Sequence, residues 1–504
     1  FRQLPSGPVL CRKMERAREK GSITLFLSLA LTMILSLVFT LLESARLYGL
    51  EAQSKMETEL LLESKMAEYD TALLEQYHLY FLEAGRKGEP ELSSLEQSLQ
   101  ELGEENLRAK PGFLKMSYTN LYEMQLENCY ITNYTMATDD AGAEFRRQAA
   151  DYVKRTMGIA AIEKLYEKAT EAKELTEDNK DIEKKFEAAI QETGTQSGLE
   201  RSTKRNTANQ KNENPLDYVK ELKNKSILSL VVEDVSAVST QTIDLSDDIA
   251  KRTCFTGNGE AQQEDMTTGL FFREYLLKQF SDYRNQSESE VLQYEMEYLI
   301  AGKDSDVANL AGVAERMLAI REVANYIYLK GDAEKTALAN TIALVTAGWT
   351  ANPAVVKVVE EGILVAWAFS ESIKDVKTLL KGGKVPFLKG NAEWTLDVGA
   401  LSESFAKEEE SKTSESGLSY GDYLRILLYL TGQEKLTYRA MNLMEQNIRR
   451  LPDRENFRID CMIGSMEIQC SYLSKPLFFG WFGSGESFKG DYHFQEKNSF
   501  SYVY

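Results

Sequence analysis

Three acidic side chains have the spacing of calcium ligands in a helix–loop–helix hand. They stand at loop positions 1, 3 and 12: Asp304, Asp306 and Glu315. Such a loop also uses a ligand at position 5 and a glycine at position 6, where the chain turns sharply. Here Ala308 and Asn309 occupy these two positions. We therefore expect Asp304 or Ser305 to cap the helix that follows, and we expect no metal ion there.

Few other residues have the types and spacing that chemistry requires. The glycine pairs in 256–261 (TGNGEA) and 382–386 (GGKVP) are not followed by GK[ST] and predict turns. The two histidines lack a recognisable ligand partner nearby, and we expect His78 on a helix and His493 in a strand. HExxH does not occur, and GLSYG (417–421), which has the GxSxG spacing, lacks a recognisable histidine partner nearby. The sequence therefore predicts no catalytic residue, no cofactor and no metal site, although a carboxylate pair brought together by the fold would escape such a search.

Cys461 and Cys470 are the candidates for a disulfide. Five cysteines in the chain are too few for a disulfide scaffold, and there is no CxxC pair. Cys461 and Cys470 lie nine residues apart across a predicted hairpin, so they could pair outside the cell. The alternative is two buried thiols, because the sequence does not show whether both side chains share a face.

The composition favours an acidic, largely helical protein. The 78 acidic and 59 basic residues give a net charge of -19, which argues against nucleic-acid binding because that needs a basic surface. Only 9 prolines occur in 504 residues, which is typical of a helical chain. A chain of this length forms about two to four structural units.

The segment 23–42 contains no charged residue. Twenty helical residues rise about 30 Å, which is the thickness of the hydrocarbon core of a bilayer. Six basic residues precede the segment and two follow it within twenty residues. By the positive-inside rule, this places the N-terminus in the cytoplasm and the rest of the chain outside. The alternatives are a buried core helix and a cleaved signal peptide, for which LLESARLYG is a poor cleavage sequence.

Hydroxyl side chains recur every four residues along this segment: Thr24, Ser28, Thr32, Ser36, Thr40 and Ser44. Such positions lie near one helix face and drift by about 40° per step. In lipid, helices associate through small residues and hydroxyl hydrogen bonds, so we expect a helix-packing face. The alternative is that each hydroxyl bonds only a carbonyl of its own helix. Glu43 at the boundary either pairs with a neighbouring subunit or is an ordinary interfacial charge.

The hydrophobic periodicity predicts a mainly α fold with a small C-terminal β element, in which the transmembrane helix continues into a helical stalk. Alternation in the tail indicates three closing strands, including one at 457–461 and one that contains Met466, Ile468, Cys470 and Tyr472. The predicted units are a basic cytoplasmic leader (1–20), a transmembrane helix (21–44), a helical stalk (45–84), an extracytoplasmic helical region (85–192), a polar linker (193–215), a mainly helical domain (216–453) with a short strand region near 226–245, and a C-terminal β region (454–504).

Several motifs occur in an order that resembles a known family. They are ITLFLSLALTMILSLVFTLLESAR, EYDTALLEQYHLYFL, YEMEYLIAGKDSD, ILVAWAFSESIKDVKTLLKGGKVPF and GLSYGDYLRILLYLT. Together they resemble the family called domain of unknown function 5702, which are membrane proteins of Gram-positive, mostly clostridial, bacteria. The resemblance covers nearly the whole chain. No catalytic residue is known for the family, so the resemblance assigns none.

The resemblance implies a relative of the TadE and TadG pseudopilins of tight-adherence (type IVc) pili. Those proteins have a basic leader that ends in glycine, one hydrophobic helix and a C-terminal β element, to which GSMEIQCSYLSKPLFFGWFG and SFSYVY are similar. The likeness implies a possible prepilin peptidase cut between Gly21 and Ser22. Pilins usually carry glutamate at the fifth mature position, where this chain has Phe26. This departure puts processing and ordinary filament incorporation in question.

These features lead to the hypothesis of a non-enzymatic, single-pass envelope protein that is a pseudopilin-like or accessory component of a Tad pilus or secretion apparatus. Its partners would be membrane lipid and other pilin-like or Tad-apparatus transmembrane helices, with no nucleic acid and no small-molecule substrate. The bulk of the chain would be extracellular. The alternative is a membrane-tethered extracellular binding or sensory domain unrelated to pili. An anchored hydrolase is disfavoured because no complete catalytic set is recognised in the sequence.

Overall fold

A computed structural model gives the backbone and side chains of most of the chain. It describes residues 9–86, 89–108, 122–156, 167, 170–175, 177, 181–194, 215–260, 267–286, 291–396, 413–478 and 490–502, with the backbone alone for 9–22 and 86. Residues 1–8 of the predicted leader and 195–214 of the predicted linker lie outside the described residues.

The fold is mainly helical with a small antiparallel sheet to which the C-terminal segment contributes, which confirms the predicted fold class. In chain order, the helices are α1 (Val9–Met66), α2 (Thr71–Tyr77), α3 (Leu92–Leu107), α4 (Ala143–Thr156), α5 (Ile182–Gly194), α6 (Pro215–Lys223), α7 (Ile227–Val231), α8 (Thr268–Gln279), α9 (Glu295–Ala301), α10 (Asp306–Gly331), α11 (Ala333–Ala347), α12 (Pro353–Leu380), α13 (Tyr420–Leu430) and α14 (Gln433–Arg449). The strands are β1 (Leu82–Glu83), β2 (Gly85–Arg86), β3 (Glu89–Pro90), β4 (Met124–Met136), β5 (Met462–Ser474) and β6 (Tyr492–Ser501).

Strand β5 is the centre of the sheet. Strand β4 pairs with it along one edge, from Met124 opposite Ser474 to Met136 opposite Ile463. Strand β6 pairs along the other edge, and the short β1 pairs on that side with the first residues of β5. Buried and half-buried residues alternate along β5 from Met466 to Ser474. This confirms the alternation that the sequence predicts for this strand, and it gives the sheet one apolar face.

The second half of α1 packs on this sheet. Leu61, Leu62 and Met66 are buried in one apolar core with residues of β4 and β5, and the hydroxyl oxygens of Thr58 and Tyr472 lie 2.8 Å apart. Helix α1 continues past the apolar stretch as predicted, but it ends at Met66, short of the predicted stalk end at 84. The side chain of Asp70 then caps α2, and β1 follows.

The helices α4 to α14 form a second body, which is inserted in sequence between β4 and β5. Its central helix is α12, which packs against α5, α6, α10 and α11. The Asn352 side chain accepts the backbone N–H of Ala354 over 3.0 Å, and Pro353 takes the first helical position, which suits proline. A Cβ at Gly362 would come within 2.1 Å of the Cβ of Ala189, so glycine lets α5 and α12 cross closely.

A cluster of buried charged side chains connects helices inside the helical body. The cluster comprises Arg321, Glu371, Asp375 and Lys389, whose side chains are 0% exposed. Arg321 Nε donates to Asp375 over 3.0 Å, and Lys389 Nζ lies 2.6 Å from the other Asp375 oxygen and also contacts Glu371. Because each charge has an opposite partner, its desolvation is compensated, whereas removal of one partner would leave a buried charge alone. The cluster therefore holds α10, α12 and the chain after α12 in one arrangement.

Three local predictions are wrong. The segment 226–245 contains α7 and an isolated bridge between Thr242 and Ser305 where strands are predicted. The segment 457–461 ends in a 3-10 turn where a closing strand is predicted. Strand β4 lies in a region predicted as helical. In each case, packing against distant residues decides the local structure, because strand propensity mostly reflects such packing.

A glutamate on α9 is buried beside two tyrosines. The Glu297 carboxylate accepts the backbone N–H of Tyr283 over 2.9 Å and the hydroxyl of Tyr420. Burial raises the pKa of Glu297 from 4.5 to about 7, against the opposing effect of these hydrogen bonds. Between these two pH values, the folded state therefore binds more protons at this residue than the unfolded state does. The contribution of Glu297 to the free energy of unfolding falls as the pH rises through this window.

The free energy of unfolding should lose up to about 3 kcal/mol through Glu297 as the pH rises, since one pKa unit corresponds to about 1.4 kcal/mol. We predict that Glu297→Gln removes this loss. The measurement is urea unfolding of the full chain in detergent at about pH 4.5 and about pH 8, compared with the wild type. The exposed Glu334 provides the matched control, and Glu334→Gln should leave the pH dependence unchanged. An identical pH dependence in Glu297→Gln and the wild type would contradict the assignment.

Candidate functional site at the junction of the apolar helix and the sheet

Helix α1 contains a stretch that is long and apolar enough to cross a membrane. From Ile23 the helix continues to Met66, and its most apolar 18-residue window has a mean hydropathy of 2.5 with 0% buried inside the protein. Within 23–42, only Ala30 and Phe39 are half-buried, and the other side chains are exposed. A surface of this kind needs lipid or other apolar helices to cover it. By length and composition it fits a membrane span, and a signal sequence near the N-terminus passes the same test.

The predicted hydroxyl row lies on the exposed surface of this stretch: Thr24, Ser28, Thr32, Ser36, Thr40 and Ser44. Ser28 and Thr32 donate to carbonyls three residues earlier over 2.9 and 2.8 Å, and Thr40 donates to the carbonyl four residues earlier over 2.7 Å. These three hydroxyls therefore make the local bonds that the alternative interpretation expects. Their oxygens keep lone pairs that a donor on another helix can use, so helix packing through the row stays a prediction.

The predicted cleavage site lies inside α1. Gly21 and Ser22 belong to the continuous helix Val9–Met66, where the structure describes their backbone alone. They precede the apolar stretch, so a cut between them would leave the whole stretch attached to the sheet. Cleavage there stays a prediction.

Glu43 and Arg46 form a buried ion pair where the apolar stretch meets the sheet. Arg46 Nη1 lies 3.0 Å from Glu43 Oε1, and the two side chains are 1% and 0% exposed. Glu43 also accepts the backbone N–H groups of Leu477 and Phe478, over 3.4 and 2.9 Å, just beyond the end of β5. The sequence left open a pairing of Glu43 with a neighbouring subunit. The structure gives it a partner within the chain, one helical turn away.

Arg46 connects the helix to two strands. Its Nη2 donates to the Tyr122 carbonyl over 2.6 Å and to the Ser474 hydroxyl over 2.7 Å. The Ser474 hydroxyl donates in turn to the Tyr122 carbonyl over 2.6 Å. Tyr122 leads into β4, and Ser474 ends β5. A planar guanidinium can donate in several fixed directions at once, which a lysine ammonium cannot match, so one side chain joins α1 to both strands.

Two close contacts extend this junction along the helix. The rings of Phe39 and Phe478 stack with their centroids 5.9 Å apart. Gly49 lets the Tyr122 ring lie against α1, since a Cβ there would come within 2.5 Å of that ring. Helix α1 therefore contacts residues at the ends of β4 and β5 both before and after the ion pair along its length.

This arrangement requires Glu43 and Arg46 to stay on the same chain as the sheet. A cut after Arg46 would remove both groups, and the N–H groups of Leu477 and Phe478 would lose their acceptor. Buried polar groups without partners cost free energy. The junction therefore couples the end of the apolar stretch to the sheet through buried contacts.

The acidic residues of 302–315 serve internal hydrogen bonds. Asp306 is buried and accepts the Ser239 hydroxyl over 2.6 Å and the backbone N–H of Tyr294 over 3.2 Å. Ser305 takes the N-cap position of α10, as one of the two predicted caps, but its side chain makes no capping hydrogen bond. Among the residues that the structure describes, no group of three or more His, Cys, Asp or Glu could hold a metal ion.

The two histidines lie apart. His78 ends α2 in a left-handed conformation, and its ring stacks on Tyr152 with the centroids 4.5 Å apart. Burial lowers the pKa of His78, and the nearby Lys278 adds to this. His493 lies in β6, as predicted, with its Nδ1 4.0 Å from a Glu127 oxygen.

Cys461 and Cys470 do not pair, and both are buried thiols, which is the alternative that the sequence left open. Cys461 closes the 3-10 turn before β5, and Cys470 lies within β5. Nine residues along an extended chain separate them by about 30 Å. The predicted strand over 457–461 does not form, so no hairpin brings the two side chains together. Cys470 instead stands opposite Cys129 on β4.

Sequence reasoning missed an exposed apolar turn in the helical body. It comprises the end of α11 and the residues that lead into α12, within 336–356, a run of 21 residues without a charge. Leu344, Val345 and Trp349 are 53%, 78% and 60% exposed there. The uncharged run was the available signal, but such runs usually belong to buried helices. An exposed apolar patch rimmed by polar residues is typical of an interaction surface.

A comparison with known proteins gives a family but no close relative. A family model described as a family of unknown function (DUF5702) matches residues 205–474. The match extends from the segment before α6 to the end of β5, so it includes Ser474 of the junction. Among curated proteins and solved structures, none matches the chain.

We predict that Glu43→Ala loosens α1 from the sheet. The change leaves Arg46 buried without its carboxylate and removes an acceptor from Phe478, and loss of one partner of a buried pair costs about 3–5 kcal/mol. Hydrogen exchange of the full chain in detergent should show faster exchange at the end of β5 and in the adjoining residues.

The control is Lys55→Ala, which breaks a pair on the same helix whose side chains are 60% and 52% exposed. Exposed pairs contribute about 0–1 kcal/mol, so exchange in β5 should stay as in the wild type. Equal exchange rates in Glu43→Ala and Lys55→Ala would show that the buried pair does not hold the junction.

Proposed function

The chain belongs to the DUF5702 family of unknown function, and we propose that it is a non-enzymatic, single-pass envelope protein, a pseudopilin-like or accessory component of a Tad (type IVc) pilus or secretion apparatus. The observation that carries this proposal is the Glu43–Arg46 junction. It joins an exposed apolar helix to a small antiparallel sheet. A hydrophobic helix with a C-terminal β element is also the arrangement that the sequence shares with pseudopilins.

The charge distribution supports one orientation. The basic residues before 23–42 favour a cytoplasmic N-terminus, which puts the sheet and the helical body outside the cell. The chain carries a net charge of -19 despite its basic N-terminal segment. An acidic outer part is repelled by an anionic envelope surface and stays accessible.

The exposed surface of the apolar stretch supports association with other helices. Hydroxyls such as those of Ser28 and Thr32 donate to carbonyls of their own helix, and their oxygen atoms lie on the exposed surface. In lipid, a partner helix with a donor gains a hydrogen bond at such an oxygen, and small side chains allow close approach. The partners proposed here are lipid and similar transmembrane helices of the apparatus. Cleavage between Gly21 and Ser22 would keep this surface and the junction in the mature protein, while Phe26 departs from the usual pilin glutamate.

We predict that replacing Thr32 and Ser36 together with leucine weakens helix association by about tenfold or more, since each hydroxyl contributes roughly 0.6–2 kcal/mol. The measurement is chemical cross-linking of the full chain in intact cells, together with its recovery in sheared surface filaments. Both should fall, while the hydrogen exchange of the sheet stays as in the wild type.

The matched control changes two apolar residues on the opposite helix face, with Ile34→Leu and Val38→Leu. These positions lie about 200° around the helix from the replaced pair. The control should keep wild-type cross-linking and recovery. If the Thr32 and Ser36 variant behaves like this control, the hydroxyl row does not mediate assembly.

The exposed turn favours a second candidate function, a membrane-tethered binding domain unrelated to pili. Leu344, Val345 and Trp349 form an uncharged surface on an otherwise acidic chain. Such a surface fits an apolar patch on another protein, with an exposed Trp as the type of residue that dominates binding interfaces. Under this alternative, the helix is only a tether and the turn carries the function.

We predict, for the tethered binding domain, that Trp349→Ala removes in-cell photo-cross-links formed from a probe at position 345. Stability should change by less than about 0.5 kcal/mol because the side chain is exposed. Leu388→Ala, at another residue that is 48% exposed, is the control and should keep the cross-links. Loss of filament recovery in the Thr32 and Ser36 variant, with wild-type recovery in Trp349→Ala, would instead favour the apparatus component.

A further inference from the structure

Two cysteines face each other across the centre of the sheet. Cys129 on β4 stands directly opposite Cys470 on β5 in the strand register. Their sulfur atoms lie 2.6 Å apart, and the residues are only 4% and 0% exposed. Opposite Cα atoms in an antiparallel pair lie about 4.5–5.5 Å apart, which is within the range that a disulfide spans. A bond of about 2.05 Å needs the sulfurs to approach by only about half an ångström.

The surroundings of the two sulfurs differ. The contact with Cys470 and then burial raise the pKa of the Cys129 thiol. The contact with Cys129 lowers the pKa of Cys470 against the opposing effect of burial, and hydrogen bonds with Tyr472 and Thr58 act in the same direction as Cys129. Cys470 is therefore the sulfur that is more readily a thiolate, and the thiolate is the nucleophile in disulfide exchange.

The position of the pair in the fold gives a bond there a definite effect. Cys129 and Cys470 are 341 residues apart in sequence, and the whole helical body lies between β4 and β5. A covalent link between these two strands would join the chain segment that enters the helical body to the segment that leaves it. It would also join the segment before the body to the DUF5702-matched segment that ends at Ser474. Arg46 contacts the same two strands through hydrogen bonds at Tyr122 and Ser474.

We propose that Cys129 and Cys470 form a structural disulfide in the mature protein. The oxidant is a second disulfide, of the class held by thiol–disulfide oxidoreductases or by oxidised glutathione. While the sheet is assembling, the thiolate of one cysteine attacks one sulfur of that disulfide, forms a mixed disulfide and releases one thiolate. The thiolate of the other cysteine then attacks the Sγ of the first and releases the second thiolate. Two electrons pass from the cysteine pair to the oxidant, which leaves as two thiols.

The bond forms while the sheet assembles, because the completed core covers both sulfurs. Thr58 of α1 approaches Cys470 and Tyr472 from the helix side, so closure of α1 over the strands seals the pair. In cells, formation of the bond rests on the proposed outer location, since disulfides persist in oxidising compartments and are rare in the cytoplasm. The purified protein tests the pairing independently of location.

The test uses the full chain in detergent, reduced, unfolded and refolded with oxidised glutathione. We expect the intact mass to fall by about 2 Da, the two hydrogens lost, and thiols titrated after unfolding to fall from five to three. Peptide mapping should join the peptides that contain Cys129 and Cys470. Cys254→Ser and Cys461→Ser should leave this link unchanged, whereas Cys470→Ser should abolish it.

Two results would overturn the proposal. One is five thiols after oxidative refolding, and the other is a link that joins different cysteines. The wild-type peptide map decides this even if Cys470→Ser fails to fold. Blocking thiols in intact cells before extraction then tests the location separately. A pair that links in the purified protein but is recovered as two blocked thiols from cells would contradict the outer location and leave the pairing intact.

Discussion

The buried ion pair of Glu43 and Arg46 is the constraint on which the rest of the structure depends. Two buried charges are tolerated only when hydrogen-bond and ion-pair partners compensate their lost hydration. Here the two side chains pair with each other, and a backbone amide after β5 donates to Glu43. The guanidinium of Arg46 also donates to the Ser474 hydroxyl and to the carbonyl before β4. The pair therefore fixes the angle at which α1 meets the sheet. An apolar helix that was only a tether would not need its last turn built into the folded part in this way.

The sheet carries this constraint to the helical body. Strand β5 lies at the centre of the sheet, and the body is inserted between β4 and β5. The two strands that bracket the body are the same two strands that Arg46 contacts. The sheet therefore connects the body to the apolar stretch through β4, β5 and the part of α1 that packs on them. The opposed Cys129 and Cys470 lie on the same two strands.

Periodicity in the sequence predicted part of this arrangement. The mainly helical class and the alternation in β5 follow from spacing of 3.6 or 2 residues, and the apolar stretch follows from a run without charge; all three depend on local sequence alone. The strand β4 and the helix α7 were not predicted, because packing against distant elements decides between helix and strand in such short segments. The sequence indicates only one of the two charged residues of the junction. The sequence marks Glu43 as a boundary charge, but Arg46 contacts Tyr122 and Ser474, which lie 76 and 428 residues away in sequence. No local pattern encodes contacts of that range, and the position of Cys470 opposite Cys129 is another contact of this kind.

The central claim is that α1 is retained and built into the sheet through Glu43 and Arg46. The most direct measurement is the N-terminal sequence of the mature protein extracted from membranes. We predict a start at Ser22 or earlier, so that the apolar stretch and both members of the pair remain on the chain. A mature protein that begins after Arg46 would contradict the claim, because the sheet would then exist without the pair that the structure places at its base.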